Sequence, residues 1–282
     1  MITPSAVIRA AHAILTKPQG NLRGLTPASL HPPPPSEGRV TVRPATVARY
    51  RRVCQLPEAA DPLCFAETLF LGSMARLVTH KGFPLSPLGL IHVRQTVRRH
   101  RPLALRRPLD LRCHMADVRE TERGIEVDIS MAVAQAGQPC WEGCATLLSR
   151  SAATRGRKRQ PGQRHPPRLL TGDTETFDVP GMTGLAYAWA SGDFNPHHLT
   201  RLTARPLGYR RPIAHGMWTL ARAIGLLEQR HPLPVEVALE AQFKRPLFMP
   251  GKASFAADGP GSFGVFAPST GAPHLLARVI SP

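Results

Sequence analysis

Between Tyr187 and Gly216 the chain reads YAWASGDFNPHHLTRLTARPLGYRRPIAHG, which sets a carboxylate and an imidazole on one short polar stretch. Asp193 and His198 lie five residues apart, with Pro196 restricting the backbone between them. A carboxylate and an imidazole held in this way can share one water. One group orients and deprotonates it, and the other receives or returns a proton. Ser191, Gly192, Asn195 and Pro196 are turn formers, so the segment reads as a loop. Downstream, Pro212-Ile213-Ala214-His215-Gly216 runs into an apolar segment. A glycine at Gly216 lets a ligand carbonyl approach the backbone, and the free amides and dipole of a helix start favour a developing negative oxygen. His215, beside that helix start, reads as a capping partner.

Elements on both sides have to hold this loop. Thr176–Val179 reads as a short strand before it. After it, residues 215–230 carry Met217, Leu220, Ala221, Ile224 and Leu227 at helical spacing. Residues 235–245 alternate like a strand and end at the turn PLFMPG; residues 253–257, 263–266 and 275–280 read as three more strands. The first half repeats the order. RVTVRPATVARYRRVC leads into a helix over residues 65–80, and LGLIHVRQTVRRHRPL precedes the strand-like DLRCHMADV, GIEVDISMAV and CWEGCATLLS. Val97-Arg-Arg-His-Arg-Pro and Phe243-Lys-Arg-Pro mark corresponding strand-to-turn junctions. An internal duplication of about 100 residues per copy accounts for these matches. The expected architecture is α+β, a long helix wrapped by an antiparallel sheet, used twice. Residues 1–38, with the proline run Pro32–Pro35, read as a poorly structured extension, 39–150 as a degenerate first repeat, 151–170 as a basic linker and 171–282 as the second repeat. Aligning Tyr50 with Tyr187 sets Cys54, Gln55 and Leu56 against Ser191, Gly192 and Asp193, and no histidine follows, so the first repeat should lack the acid–imidazole pair.

The pattern Y-A-x-x-S-G-D-x-N-P-x-H, an alanine six residues on, and then G-[FY]-x-x-P-I-A-H-G resembles the MaoC-like, or type 2, (R)-specific enoyl-CoA hydratase and dehydratase family, whose fold is the hot-dog. It is carried by Tyr187, Ser191, Gly192, Asp193, Asn195, Pro196, His198, Ala204, Gly208, Tyr209 and Pro212 to Gly216. With the duplication, the resemblance implies a double hot-dog. It implies that Asp193 and His198 activate the water, or remove the 2-position proton and protonate the leaving hydroxyl. It further implies that Asn195 positions the pair and that the Gly216 amide polarises the thioester carbonyl. Tyr187, Ser191, Gly192 and His215 fall at the substrate. Lys244 and Arg245, at a strand end, could meet coenzyme A phosphates, although two solvated charges account for them equally well. One position departs from the family: His197 stands where an aliphatic residue is usual, and it could compete with His198 or alter proton traffic. A thioesterase, or a non-catalytic acyl-CoA or nucleic-acid binding module on the same fold, is the alternative reading.

The 282 residues include 36 basic and 19 acidic side chains, a net charge of +17. That excess suits an anionic partner such as an acyl-CoA or acyl-carrier-protein thioester, and a merely solvated arginine-rich surface accounts for it as well. The basic stretch holding Arg155, Arg157, Lys158, Arg159 and Arg164 has no interleaved aromatic residue for base stacking, so nucleic acid is not the expected partner. No apolar run approaches the roughly 18 residues of a membrane span. Cys54, Cys64, Cys113, Cys140 and Cys144 have no zinc spacing and read as reduced thiols of a cytoplasmic protein, with the N-terminal stretch weakly resembling an organellar presequence. Trp189 and Trp218 read as core. No metal or redox cofactor is expected, because the thioester itself acidifies the 2-position; coenzyme A enters as part of the substrate. A homodimer and a monomer are both compatible with the sequence.

Overall fold

The computed structural model describes residues 32–58, 62–87, 89–150 and 174–280. The expected linker lies outside them, as does most of the expected N-terminal extension; the first strand, β1 (Ser36–Thr41), already begins inside that extension. The first half continues with α1 (Pro44–Cys54), a 3₁₀ turn (Phe65–Phe70) running into α2 (Leu71–Thr79), and the strands β2 (Ile91–Arg99), β3 (Pro108–Thr121), β4 (Gly124–Gln135) and β5 (Gln138–Arg150). The second half holds β6 (Thr174–Val179), α3 (Thr183–Ser191), a 3₁₀ turn (Pro196–His198), α4 (Arg201–Ala204) and α5 (Gly216–Glu228). It closes with β7 (Val237–Phe243), β8 (Gly251–Asp258), β9 (Ser262–Phe266) and β10 (Pro273–Ile280).

All ten strands join one antiparallel sheet in the order β1-β3-β4-β5-β2-β7-β10-β9-β8-β6. Read inward from either edge, the order is the same for both halves, as two copies of one unit require. The copies meet where β2 pairs with β7, from Arg94 opposite Gln242 to Arg99 opposite Val237. No helix among the described residues is long and apolar enough to cross a membrane. All five cysteines are free thiols.

The sheet wraps α5, whose residues from Met217 to Leu227 are all buried. A helix that is apolar over most of its surface has to be enclosed, and this one is, with Thr219 and Arg222 its buried polar residues. The expected helix over residues 65–80 is a shorter, broken element: its first turn is 3₁₀, and only Leu77 of α2 is buried. The Thr68 hydroxyl donates to the Phe65 carbonyl at 2.7 Å, so the side chain competes for an acceptor of the first turn.

Two helices that the apolar spacing did not show, α1 and α3, lie against each other where the repeats meet, with the Tyr50 and Tyr187 rings 5.9 Å apart. Val47, Tyr50 and Cys54 form the buried stripe of α1, and Pro44 starts it at the position that tolerates a missing N–H. Both helices end on a left-handed residue, Gln55 (φ 52°) in α1 and Gly192 (φ 91°) in α3, so Leu56 stands where Asp193 stands in the second copy. The helix of the second repeat fixes the end of α1: Trp218 Nε1 donates to the Val53 carbonyl at 3.0 Å, and Arg222 to that of Gln55 at 3.2 Å. Trp218 is buried as expected, but Trp189 is not core. It is 65% exposed on the outer face of α3, edge-on to Phe194 at 5.1 Å.

Candidate active site

The loop after α3 is built by its own main chain. Ser191 Oγ donates to the Tyr187 carbonyl at 2.8 Å and accepts the Asp193 amide at 3.1 Å. Gly192 takes the left-handed turn between them, a conformation a side chain rarely adopts. The Asn195 amide then donates to Asp193 Oδ1 at 3.1 Å, and the Asn195 carbonyl accepts the His198 amide at 3.0 Å. Asn195 therefore positions the pair through its backbone, while the residue itself is exposed. Tyr187 and Ser191, expected at the substrate, are buried behind the loop and hold its shape.

His198 ends the 3₁₀ turn and is buried. Its Nδ1 lies 2.7 Å from the Ile213 carbonyl, which fixes the proton there and leaves Nε2 as an acceptor. Ile213 is placed by its own amide, which donates to the His197 carbonyl at 3.1 Å, and by pairing with Phe248. His215 stands at the N-cap position of α5, but its side chain makes no capping bond there. Its ring stacks on that of His198 at 3.7 Å between centroids, and its Nε2 lies 3.0 Å from the Asp193 carbonyl and 3.8 Å from Asp193 Oδ2. One donor atom each from Asp193, His198 and His215 falls within a 4.8 Å sphere of separation. His197 is outside this group; its ring packs between those of His198, at 4.0 Å, and Tyr209, at 5.6 Å. His197→Ala is accordingly expected to lower turnover by less than about tenfold, well short of what loss of a general base costs, as measured by steady-state rates beside His198→Ala.

Burial, with the neighbouring rings, pushes His198 and His197 down to about 3, and burial also lowers His215. Burial works to raise the Asp193 carboxyl, but His215, His198 and the Asn195 amide outweigh it and hold the group below its ordinary value. At neutral pH the site therefore holds a carboxylate and uncharged imidazoles. The Asp193 side chain keeps 34% of its surface open, so an incoming molecule can reach it.

Gly216 opens α5, in the first turn, where N–H groups have no partner within the helix. A methyl there would stand 3.0 Å from the Phe243 ring, so this approach is reserved for backbone. Lys244 and Arg245 follow directly after β7 and are exposed, and the Lys244 ammonium contacts the Gln242 side chain. Two residues beyond the sequence reading come from the first repeat: Glu67, on its 3₁₀ turn, and His92, whose ring lies 4.8 Å from that of Phe243; both feel the Asp193 charge. A glutamate inside the apolar run FAETLFL is a signal of this kind that the sequence does carry.

Residues 179–258 match the family model described as MaoC like domain. The chain is 29% identical over 242 residues to 3-hydroxyacyl-thioester dehydratase X of Mycobacterium tuberculosis, covering 84% of this chain and 85% of that protein. A crystal structure of HtdX from the same organism superposes with a TM-score of 0.74 at 28% identity, over 87% of this chain and 99% of that one. A further M. tuberculosis protein with a double hot-dog fold shares the architecture at 13% identity, with a TM-score of 0.53 over 92% of this chain and 98% of that one. The fold is the hot-dog, present twice.

Proposed function

We propose, on the premise that the C-terminal half of this chain is a MaoC-like domain, that the protein is a hydro-lyase hydrating trans-2-enoyl thioesters and dehydrating (R)-3-hydroxyacyl thioesters at Asp193 and His198. The observation that carries this reading is the His198 ring, tied at Nδ1 to Ile213 with Nε2 free, beside an open carboxylate and the unfilled first turn of α5.

In hydration, Asp193 accepts a hydrogen bond from the water and orients it, and His198 Nε2 takes its proton. The hydroxide adds at the 3-position, and the electron pair of the double bond moves onto the thioester oxygen. The Gly216 amide meets that oxygen; a donor of this kind is worth about 3–4 kcal/mol. The proton then passes from His198 to the 2-position. Dehydration runs the same steps backwards. The thioester supplies the acidity of the 2-position, so no metal or redox cofactor takes part in these steps. Lys244 and Arg245 suit the phosphates of coenzyme A or of an acyl-carrier prosthetic arm.

The test mixes the protein with trans-2-enoyl-CoA substrates of short, medium and long chain and follows the conjugated absorbance, with Asp193→Asn as control. Asp193-dependent loss with (R)-3-hydroxyacyl-CoA as product is the expected result. Release of free thiol in its place would mean a thioesterase, and (S)-product would overturn the stereochemical assignment.

The pH profile has a sign that follows from His198. With its value pushed down to about 3, the ring stays a free base as pH falls through the ordinary imidazole value near 6.5. kcat/KM should therefore show no inflection there. Initial rates have to be taken with the fold monitored. Below about 6.5 the unfolded chain binds protons that the buried rings refuse, so stability declines toward acid. A one-proton fall in kcat/KM near 6.5 in folded protein would overturn this assignment of His198.

A further inference from the structure

α1 and α3 lie side by side where the repeats meet, with their buried stripes turned to the shared core and their other faces outward. The outward face of α3 is apolar. Met182, at its N-cap, and Trp189 are each 65% exposed, Leu185 is half-buried between them, and the Phe194 ring extends the stripe edge-on to Trp189. The helical positions share one face, the pattern of a helix that packs on something. Setting Tyr50 against Tyr187 puts Arg49 and Arg52 of α1 at the places of Ala186 and Trp189, and both arginines are exposed. Neither helix contains an acidic residue, and neither arginine forms an ion pair among the described residues. The stripe runs straight into the candidate site, since Phe194 follows Asp193, whose side chain is one-third open.

We propose that this two-helix face docks an acidic acyl carrier protein, which presents the thioester to the site on its phosphopantetheine arm. The proposal rests on the hydro-lyase reading and names the form in which its substrate arrives. Trp189 is the anchor such a contact needs: a large ring that a partner can desolvate completely. Arg49 and Arg52 steer an acidic helix to it and fix the register. Charge and shape together select this occupant. Coenzyme A alone brings phosphates for the arginines but nothing to cover an apolar helix face. Nucleic acid likewise leaves the aliphatic Met182 and Leu185 uncovered. A second copy of the chain would bring the same two arginines and a further +17 to the contact, so like charges would meet across it. Only an acidic protein with an apolar helix face satisfies both halves, the cationic one from the first repeat and the apolar one from the second.

The experiment reads docking apart from chemistry. A purified acidic acyl carrier protein, bearing its arm but no acyl group, is titrated against the full-length wild type, Trp189→Ala and an Arg49→Glu/Arg52→Glu double variant. Thermal unfolding checks that each variant is folded. Wild type should bind, and more weakly as salt rises. Each variant should lose about tenfold or more in affinity. The same proteins are then assayed on one trans-2-enoyl chain, carried either by the carrier protein or by coenzyme A. The variants should raise KM for the carrier-bound substrate and leave kcat/KM for the CoA ester unchanged. No binding by wild type, variants that bind as wild type does, or equal losses on the two substrates overturns the proposal. A wild-type dimer that Trp189→Ala abolishes would give the face to a second copy, and binding of an oligonucleotide in place of the carrier would give it to nucleic acid; either result overturns it too. If the double variant does not fold, Trp189→Ala decides alone. Carrier binding without Asp193-dependent turnover of either ester sinks the hydro-lyase reading, whereas turnover of the CoA ester without carrier binding sinks only this proposal.

Discussion

Asp193→Asn and His198→Ala should each reduce turnover by about 10³-fold or more while the protein stays folded, because each removes one half of the proposed general acid–base pair. The asparagine is nearly isosteric and can still accept the Asn195 amide, but it carries no charge and orients water poorly. Its stability change should be small, since the Asp193 side chain is one-third open. His198→Ala leaves the Ile213 carbonyl without its 2.7 Å donor, so it should also lower the unfolding midpoint, by an amount matching about 1–3 kcal/mol for an unsatisfied buried acceptor. The two losses should not add: the double variant is expected to be about as slow as either single one, because both groups serve one proton transfer. Equal losses from His197→Ala and His198→Ala would show that the imidazole has been assigned in the wrong register. Steady-state kinetics with circular dichroism on the four variants reads all of this.

The residues of the candidate site were legible as one group because they are close in sequence. Asp193 and His198 stand on one loop, and the PIAHG run marks the start of the helix at Gly216. The strands of the second half and the helix at Gly216–Glu228 were legible too, since alternation and a helical apolar stripe are local signals. Other features had no such signal. α3 (TGLAYAWAS) is nearly uniform in small and aromatic residues, so no stripe marks it, and Trp189 looks like core although it faces out. Asn195 acts through its amide and carbonyl, and no side-chain rule reports that. His215 does hold the N-cap position of its helix, but its ring stacks on His198 instead of capping, which needs the fold to be seen. Glu67 lies 126 residues before Asp193, and no local signal announces that its 3₁₀ turn packs against α3 of the other repeat.

That packing also explains why a residue far from the chemistry should matter nearly as much as the pair. Gly184 sits in the first turn of α3, where the 3₁₀ turn carrying His198 crosses it; a methyl group at Gly184 would lie 1.8 Å from the His198 carbonyl oxygen and 2.8 Å from Met249 Cε. Carbon and oxygen need roughly 3.3 Å, so Gly184→Ala must push the turn and the helix apart by more than about 1 Å. The His198 ring is held to Ile213 at 2.7 Å, and a shift of that size breaks the bond or swings Nε2 off its line to the substrate. Misplacement on this scale costs on the order of 10² in rate, so kcat should fall by about that factor, with KM moving less and the unfolding midpoint dropping. Gly181, in the neighbouring turn, is the matched control, because a methyl there meets nothing nearer than Pro250 at 3.7 Å and Gly181→Ala should leave the rate unchanged. A Gly184→Ala variant that keeps its kcat within about twofold, against the 10²-fold that misplacement costs, would mean the His198 turn is free to relax, and that the close packing of α3 does not set the base.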